Sequence, residues 1–220
     1  TILVVSAIRG CTDALIHIGN LASQRDESYI EIIDDLQDKH HQIIRELLPR
    51  EKHDEACRTC DELFDSLRSI AQGVYLLGEL SPTSLDAIQG FGELWSSKII
   101  ATKLASVGIA TKWVDSRKII RTVSKGETNA VDIQKTYSRV NEMIGNNPIT
   151  QLFVMPGFIA SDKQGRTTTL GRGGSDYSAS LMAVGCRARA NSRLSNPITD
   201  KSSGIRIPRA FSSSETDTAM

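Results

Sequence analysis

The fold class the sequence predicts is α/β, with a largely parallel sheet, on three observations. "TILVV" is a short β-branched run that reads as a buried strand, the kind found in parallel sheets, and "ATKWV" and "QLFVMP" read as further strands. They alternate with longer stretches whose apolar residues recur three and four positions apart, the period of amphipathic helices. The stretch "TTTLGRGGSDYSASLMA" (167–183) passes from a Thr/Leu run through three glycines into an Ala/Leu/Met-rich helical run. Ligands of open α/β sheets sit at such strand-to-helix exits.

"TILVVSA" is the first strand, ending in small residues, and residues 12–24 read as a helix. "DESYIEIIDDLQDKHHQIIRELL" and "EACRTCDELFDSLRSIAQGVYLL" form a helical hairpin, an insertion over about residues 26–80. His40 and His41 on its first helix are expected at the solvated surface. "SPTSLDAIQGFGELWSSKIIATKLASVG" reads as one helix entered through Ser/Pro/Thr signals and closed by Gly108. "ATKWVDS" and "QLFVMPGFIAS" read as strands on either side of the helical "VDIQKTYSRVNEMI". "DKQG" has the composition of a tight hairpin turn before "RTTTL". From residue 187 to 220, seven serines, six arginines or lysines and three acids with little periodicity predict a flexible basic tail.

Composition narrows the function. With 220 residues, 40% hydrophobic and 24% charged, the chain can bury one sizeable core. Its 26 basic and 26 acidic residues cancel, so the whole chain has no electrostatic footprint for nucleic acid or an anionic membrane. No apolar run approaches the roughly 20 residues that span a bilayer, and the N-terminus has no basic signal-like segment; a soluble, intracellular protein is expected. Four cysteines are too few for a disulfide framework. His53, Cys57 and Cys60, at i, i+4 and i+7 of one helix face, offer three metal ligands with no obvious fourth, so no metal site is assigned. The thiols are expected to pack like small apolar residues.

Two strand exits carry the candidate chemistry. After "ILVV" come Ser6 and Thr12, two hydroxyls at a helix start. After "TTTL" come Gly171, Arg172, Gly173, Gly174, Ser175 and Asp176. Glycines let backbone N–H groups approach an anion closely, the following helix adds its positive end, and an arginine fork suits a carboxylate. Glu93, in "GFGELWSS", has small or apolar flanks, so its carboxylate is expected to face something specific. Taken singly, the glycines could serve a turn, Asp176 a helix cap, and Ser6 and Thr12 ordinary capping.

The order and spacing of "VVSAIRGCTD", "GFGELWSSKI", "KWVDSR", "MPGFIASD" and "TTTLGRGGSDYSA" resemble the aspartate kinases of the amino-acid kinase superfamily, over about residues 1–186. The helical insertion resembles that of aspartokinase domains fused to homoserine dehydrogenase. The resemblance implies a three-layer αβα sandwich, a cytoplasmic enzyme, and phosphoryl transfer from ATP, with Mg²⁺, to the side-chain carboxylate of L-aspartate. The product, 4-phospho-L-aspartate, begins lysine, threonine and methionine synthesis. By position, Arg172 would clamp a substrate carboxylate and Glu93 would receive the substrate ammonium, with Ser6 and Thr12 in the same pocket. Gly173, Gly174, Ser175 and Asp176 would lie near the reacting phosphoryl group, Asp176 organising a lysine or the metal environment. An intact parent is expected to be a homo-oligomer.

Departures from the family pattern are equally specific. Family members begin with a strand and a Lys-Phe-Gly-Gly-Thr phosphate loop, which would precede Thr1 here. Their Trp-Thr-Asp-Val-x-Gly…Asp-Pro-Arg stretch has only an echo in "ITDKSSGIRIPR", and Leu94 stands where an arginine commonly follows the substrate-binding glutamate. A truncated, diverged chain could therefore bind aspartate without turnover, as an inactive or regulatory subunit. A helical interaction module over residues 27–72, with or without metal at Cys57 and Cys60, is the other alternative. No nicotinamide-binding fingerprint is present, so homoserine dehydrogenase chemistry is not expected of these residues.

Overall fold

The computed structural model describes residues 1–125, 128–147 and 149–195. Its elements run β1 (Ile2–Val5), α1 (Cys11–Ser23), α2 (Tyr29–Leu47), α3 (His53–Leu77), α4 (Pro82–Gln89), α5 (Phe91–Ser106), β2 (Thr111–Trp113), β3 (Thr122–Lys125), β4 (Thr128–Val131), α6 (Ile133–Gly145), β5 (Leu152–Pro156), β6 (Ile159–Ser161), β7 (Thr167–Thr169) and α7 (Gly174–Ser195).

β5 is the centre of the molecule because its run Leu-Phe-Val-Met-Pro can be buried on both faces, and four of its five residues are. It pairs in parallel with β1 on one side (Ile2 opposite Phe153) and with β2 on the other (Trp113 opposite Val154), giving the order β1-β5-β2. Parallel neighbours need crossovers, and helices supply them. Alternation along the strands sends Ile2, Val4, Phe153 and Met155 to a core shared with α6 and α7 (Val140, Met143, Leu181, Met182). A second core joins α1 to α5 around Leu15, Ile18, Ile33, Phe64, Leu67 and Trp95. The architecture is α/β, with helices on both sides of a parallel sheet.

The insertion forms an antiparallel pair. Gln37 Nε2 donates to Asp61 at 2.5 Å, His41 bonds the same carboxylate at 2.7 Å, and Arg68 reaches Asp34 at 2.6 Å. α3 ends at Gly78, whose φ of +69° is the left-handed cap that favours glycine.

Several expectations change. Residues 82–106 form two helices, not one, separated at Gly90, where a Cβ would stand 3.1 Å from Ile159 Cγ2. "QLFVMPGFIAS" divides into β5 and β6 at Gly157 and Phe158, and Phe158 has φ +61°. β6 then pairs antiparallel with β7 through the expected turn, where Asp162 accepts the N–H groups of Gln164 and Arg166, each at 2.9 Å. The β3–β4 hairpin was not anticipated. His40 is fully buried instead of solvated: its Nδ1 donates to Leu36 O at 2.6 Å, and its ring lies 4.8 Å from that of Trp95. Residues 187–195, expected in the flexible tail, continue α7 to Ser195; the remainder of that tail, with the "ITDKSSGIRIPR" echo, lies outside the described residues.

Two helical glycines should answer oppositely to the same methyl. A Cβ at Gly92 would meet Ala7 Cβ at 2.8 Å, whereas none lies within 4 Å at Gly73. Gly92→Ala is expected to destabilise by about 1–3 kcal/mol through overpacking. Gly73→Ala is expected to stabilise by about 0.5–1 kcal/mol through helix propensity. Urea unfolding of the two variants measures both.

Candidate active site

The sequence-predicted site residues, which come from three separate segments, line one cavity of about 460 Å³: Ser6, Thr12, Glu93, Arg172, Gly173, Gly174, Ser175 and Asp176. Each segment is placed there for a local reason. Ser6 follows β1 directly, and its carbonyl is held by Ser96 Oγ at 2.7 Å. Gly10, at φ +81°, turns the chain into α1 and brings Thr12 to the cavity. Glu93 sits in the first turn of α5, which Gly92 allows to press against Ala7 and Cys11.

The glycine-rich loop divides its labour. Gly171 and Gly173 both have φ +72° with nothing near a would-be Cβ, so glycine serves backbone conformation there. Gly174 serves space: its Cβ would lie 2.8 Å from Phe158 Cδ2. Ser178, fully buried, accepts the Phe158 N–H at 3.1 Å and donates to Gly174 O at 2.8 Å, locking the α7 entrance to the β5–β6 corner. Thr169, just before the loop, is fixed from α4: Asp86 accepts its hydroxyl at 2.8 Å and its N–H at 3.3 Å.

Electrostatically the cavity is incomplete by itself. Glu93 is 4% exposed; Oε1 accepts the Ala7 N–H at 3.4 Å, and buried Oε2 has no partner among the described residues. Burial raises its pKa from 4.5 to about 7, against the weaker pull of backbone N–H donors. Arg172 and Asp176 are exposed, and neither has an ion-pair partner among the described residues. A buried carboxylate seeking a cation thus faces a cavity that also holds a guanidinium free to take an anion. That polarity suits a zwitterion.

Gln89, Ile16, Phe158 and Thr169 also line the cavity and were missed. Gln89 closes α4, a helix separate from the α5 that carries Glu93, and no sequence signal marked it. Phe158 owes its place to a positive φ, for which the sequence has no signal. Among the described residues no lysine lines the cavity. His53 is held by Leu48 O at 3.1 Å, Cys60 is 4% exposed with its pKa raised by burial to about 12, and among the described residues no cluster of three potential ligands could hold a metal. No helix among the described residues is long and apolar enough to cross a membrane.

Residues 1–194 match the model of the amino acid kinase family. This chain belongs to that family. It is 30% identical over 190 residues to bifunctional aspartokinase/homoserine dehydrogenase 2 of Arabidopsis thaliana, a chloroplastic protein, covering 86% of the chain and 20% of the relative. Among solved structures it is similar to Escherichia coli aspartokinase III with lysine and aspartate bound (TM-score 0.76, 27% identity, covering 84% of this chain and 40% of that one). The same enzyme with aspartate and ADP gives a TM-score of 0.73 at 28% identity, with the same coverage. The chain therefore spans about a fifth of the first relative's length and two fifths of the enzyme in those structures. The fold is that of the aspartokinase domain.

Burial of Glu93 makes stability fall with pH. The native state holds this proton more tightly than the unfolded chain, so the contribution is full below about pH 4.5 and is lost as pH rises to about 7. In the absence of ligand, the stability difference between wild type and Glu93→Gln should shift against wild type by on the order of 3 kcal/mol across that window. Unfolding titrations at a series of pH values read it directly.

Proposed function

We propose that the chain is the catalytic core of an aspartate kinase, transferring the γ-phosphoryl group of ATP to the side-chain carboxylate of L-aspartate to give 4-phospho-L-aspartate. The reading rests above all on Glu93, a buried carboxylate with an unpartnered oxygen, opening into the same cavity as the glycine-rich loop. Glu93 receives the substrate ammonium, and Arg172 clamps a substrate carboxylate. Ser6 and Thr12 line the same pocket. Gly173, Gly174 and Ser175 present backbone and hydroxyl donors to the transferring phosphoryl group. A carboxylate nucleophile is already ionised at neutral pH, so no general base is needed; positioning and charge neutralisation supply the catalysis. The relatives support this reading, since the E. coli enzyme has been seen with aspartate and ADP.

Mg²⁺ fits this donor set through Asp176, because Mg²⁺ keeps several waters and needs only one or two carboxylates beside the nucleotide phosphates. Bound there, it would neutralise phosphate charge. In an intact parent, fusion to homoserine dehydrogenase and assembly into a homo-oligomer are part of the same proposal, as is a place at the head of lysine, threonine and methionine synthesis. A second reading, aspartate binding without turnover, is favoured by a cavity lining that holds no lysine among the described residues.

Two measurements test these readings. The full chain is expected to form aspartyl hydroxamate from L-aspartate and hydroxylamine only with ATP and Mg²⁺, and Glu93→Ala should abolish the signal. Aspartate binding without hydroxamate would support the second reading. In calorimetry at about pH 6, the aspartate ammonium should drive the Glu93 proton off, so the apparent binding enthalpy should depend on the buffer. Unchanged aspartate binding in Glu93→Ala would overturn the pocket assignment.

A further inference from the structure

Trp95 and Trp113, the only two tryptophans of the chain, line one cavity of about 210 Å³ that shares no residue with the Glu93 cavity. It lies where the insertion helix α3 meets α5 and β2, with Leu63 and Ile99 contributing apolar walls.

Two of the donors on its walls have no acceptor, whereas Trp113 Nε1 donates to Ser97 and Thr102 Oγ1 to Lys98 O. Lys98 Nζ lies 4.1 Å from the centre of the Trp113 ring, whose face attracts the charge without replacing the oxygen ligands an ammonium has in water. Among the described residues no acceptor lies within hydrogen-bond distance of that ammonium, and burial pushes its pKa down. Trp95, 1% exposed, has a buried Nε1–H that likewise has no partner. The acid at the wall, Glu55, is paired at 3.0 Å with Lys52. An unmet buried donor is costly, and the half-buried Lys98 has Asp115 and Glu62 acting on it only from beyond hydrogen-bond distance. The inventory lacks an anion with an apolar body.

We propose that this cavity is a binding site for a small organic monocarboxylate, its carboxylate accepting from Lys98 and its aliphatic part lying among Trp95, Trp113, Leu63 and Ile99. Size agrees: a cavity of about 150 Å³ admits benzene, so this one holds a ligand of about eight non-hydrogen atoms. The occupant bridges the helical insertion and the helix that carries Glu93. The proposal stands independently of the kinase reading.

The test uses the full chain and its own fluorescence, since both tryptophans face this cavity. Titration with 4-methylpentanoate, at constant ionic strength, should produce a saturable change in tryptophan emission in the millimolar range that so small a ligand allows. 4-Methylpentanamide, of the same shape but uncharged, should produce none. Lys98→Met, which keeps the stem and removes the charge, should weaken binding by about tenfold or more. Absence of a saturable response, or equal responses to acid and amide, would overturn the proposal in the unaltered chain without reliance on a variant. Unchanged affinity in Lys98→Met would overturn it as well.

Discussion

The absence of side-chain room between the end of β5 and the start of α7 is the constraint on which the site depends. A Cβ at Gly157 would lie 2.7 Å from Ser175, and one at Gly174 would lie 2.8 Å from the Phe158 ring. Only two glycines let these backbones touch, and Ser178 fastens the contact from both sides. The contact fixes the direction in which α7 points its N-terminal N–H groups, and with it the position of the loop from Gly171 to Asp176. Phe158 accepts a left-handed backbone because its neighbours on both sides are already held.

The other half of the site is built by desolvation. The first turn of α5 is buried from Phe91 onward, and that burial leaves Glu93 with a raised pKa and an empty Oε2. Such a carboxylate weakens the fold at neutral pH and gives a cationic ligand a strong reason to bind. The same trade is made at longer range by Asp86, half-buried with its pKa raised by burial, whose two oxygens hold Thr169 at the base of the loop. Stability given up at these carboxylates is position gained in the cavity.

What the sequence made legible was chemistry carried by contiguous residues. The glycine-rich loop announced itself by composition, and Glu93 by a charge among small and apolar neighbours. Strand runs and amphipathic periods were readable because each residue's neighbours carry the signal. Missed features depended on contacts between distant segments. Nothing in "DAIQGFGEL" says that the helix breaks at Gly90, a residue whose backbone lies close against Ile159 of a distant segment. The β3–β4 hairpin is short and polar. His40 is instructive in the other direction, since it continues the spacing of Ile33, Leu36 and Ile44, all buried. Its period was correct for the core, and its residue type argued for water. The period won because Leu36 O satisfies one ring nitrogen and the aromatic faces of Phe64 and Trp95 enclose the rest.

The pairing of β1 with β5 also sets an order of events. One core, from α1 to α5, is assembled almost wholly from residues near one another along the chain. The parallel sheet instead joins Ile2 to Phe153, and the entropy of closing so long a loop is spent before any sheet contact returns it. The helical half can therefore consolidate early while the β1–β5 seam closes late. Ser6, Thr12 and Glu93 belong to the early half and the glycine-rich loop to the late one, so the cavity comes into being only with the last long-range closure. A partly folded chain holds both halves of the chemistry and no site.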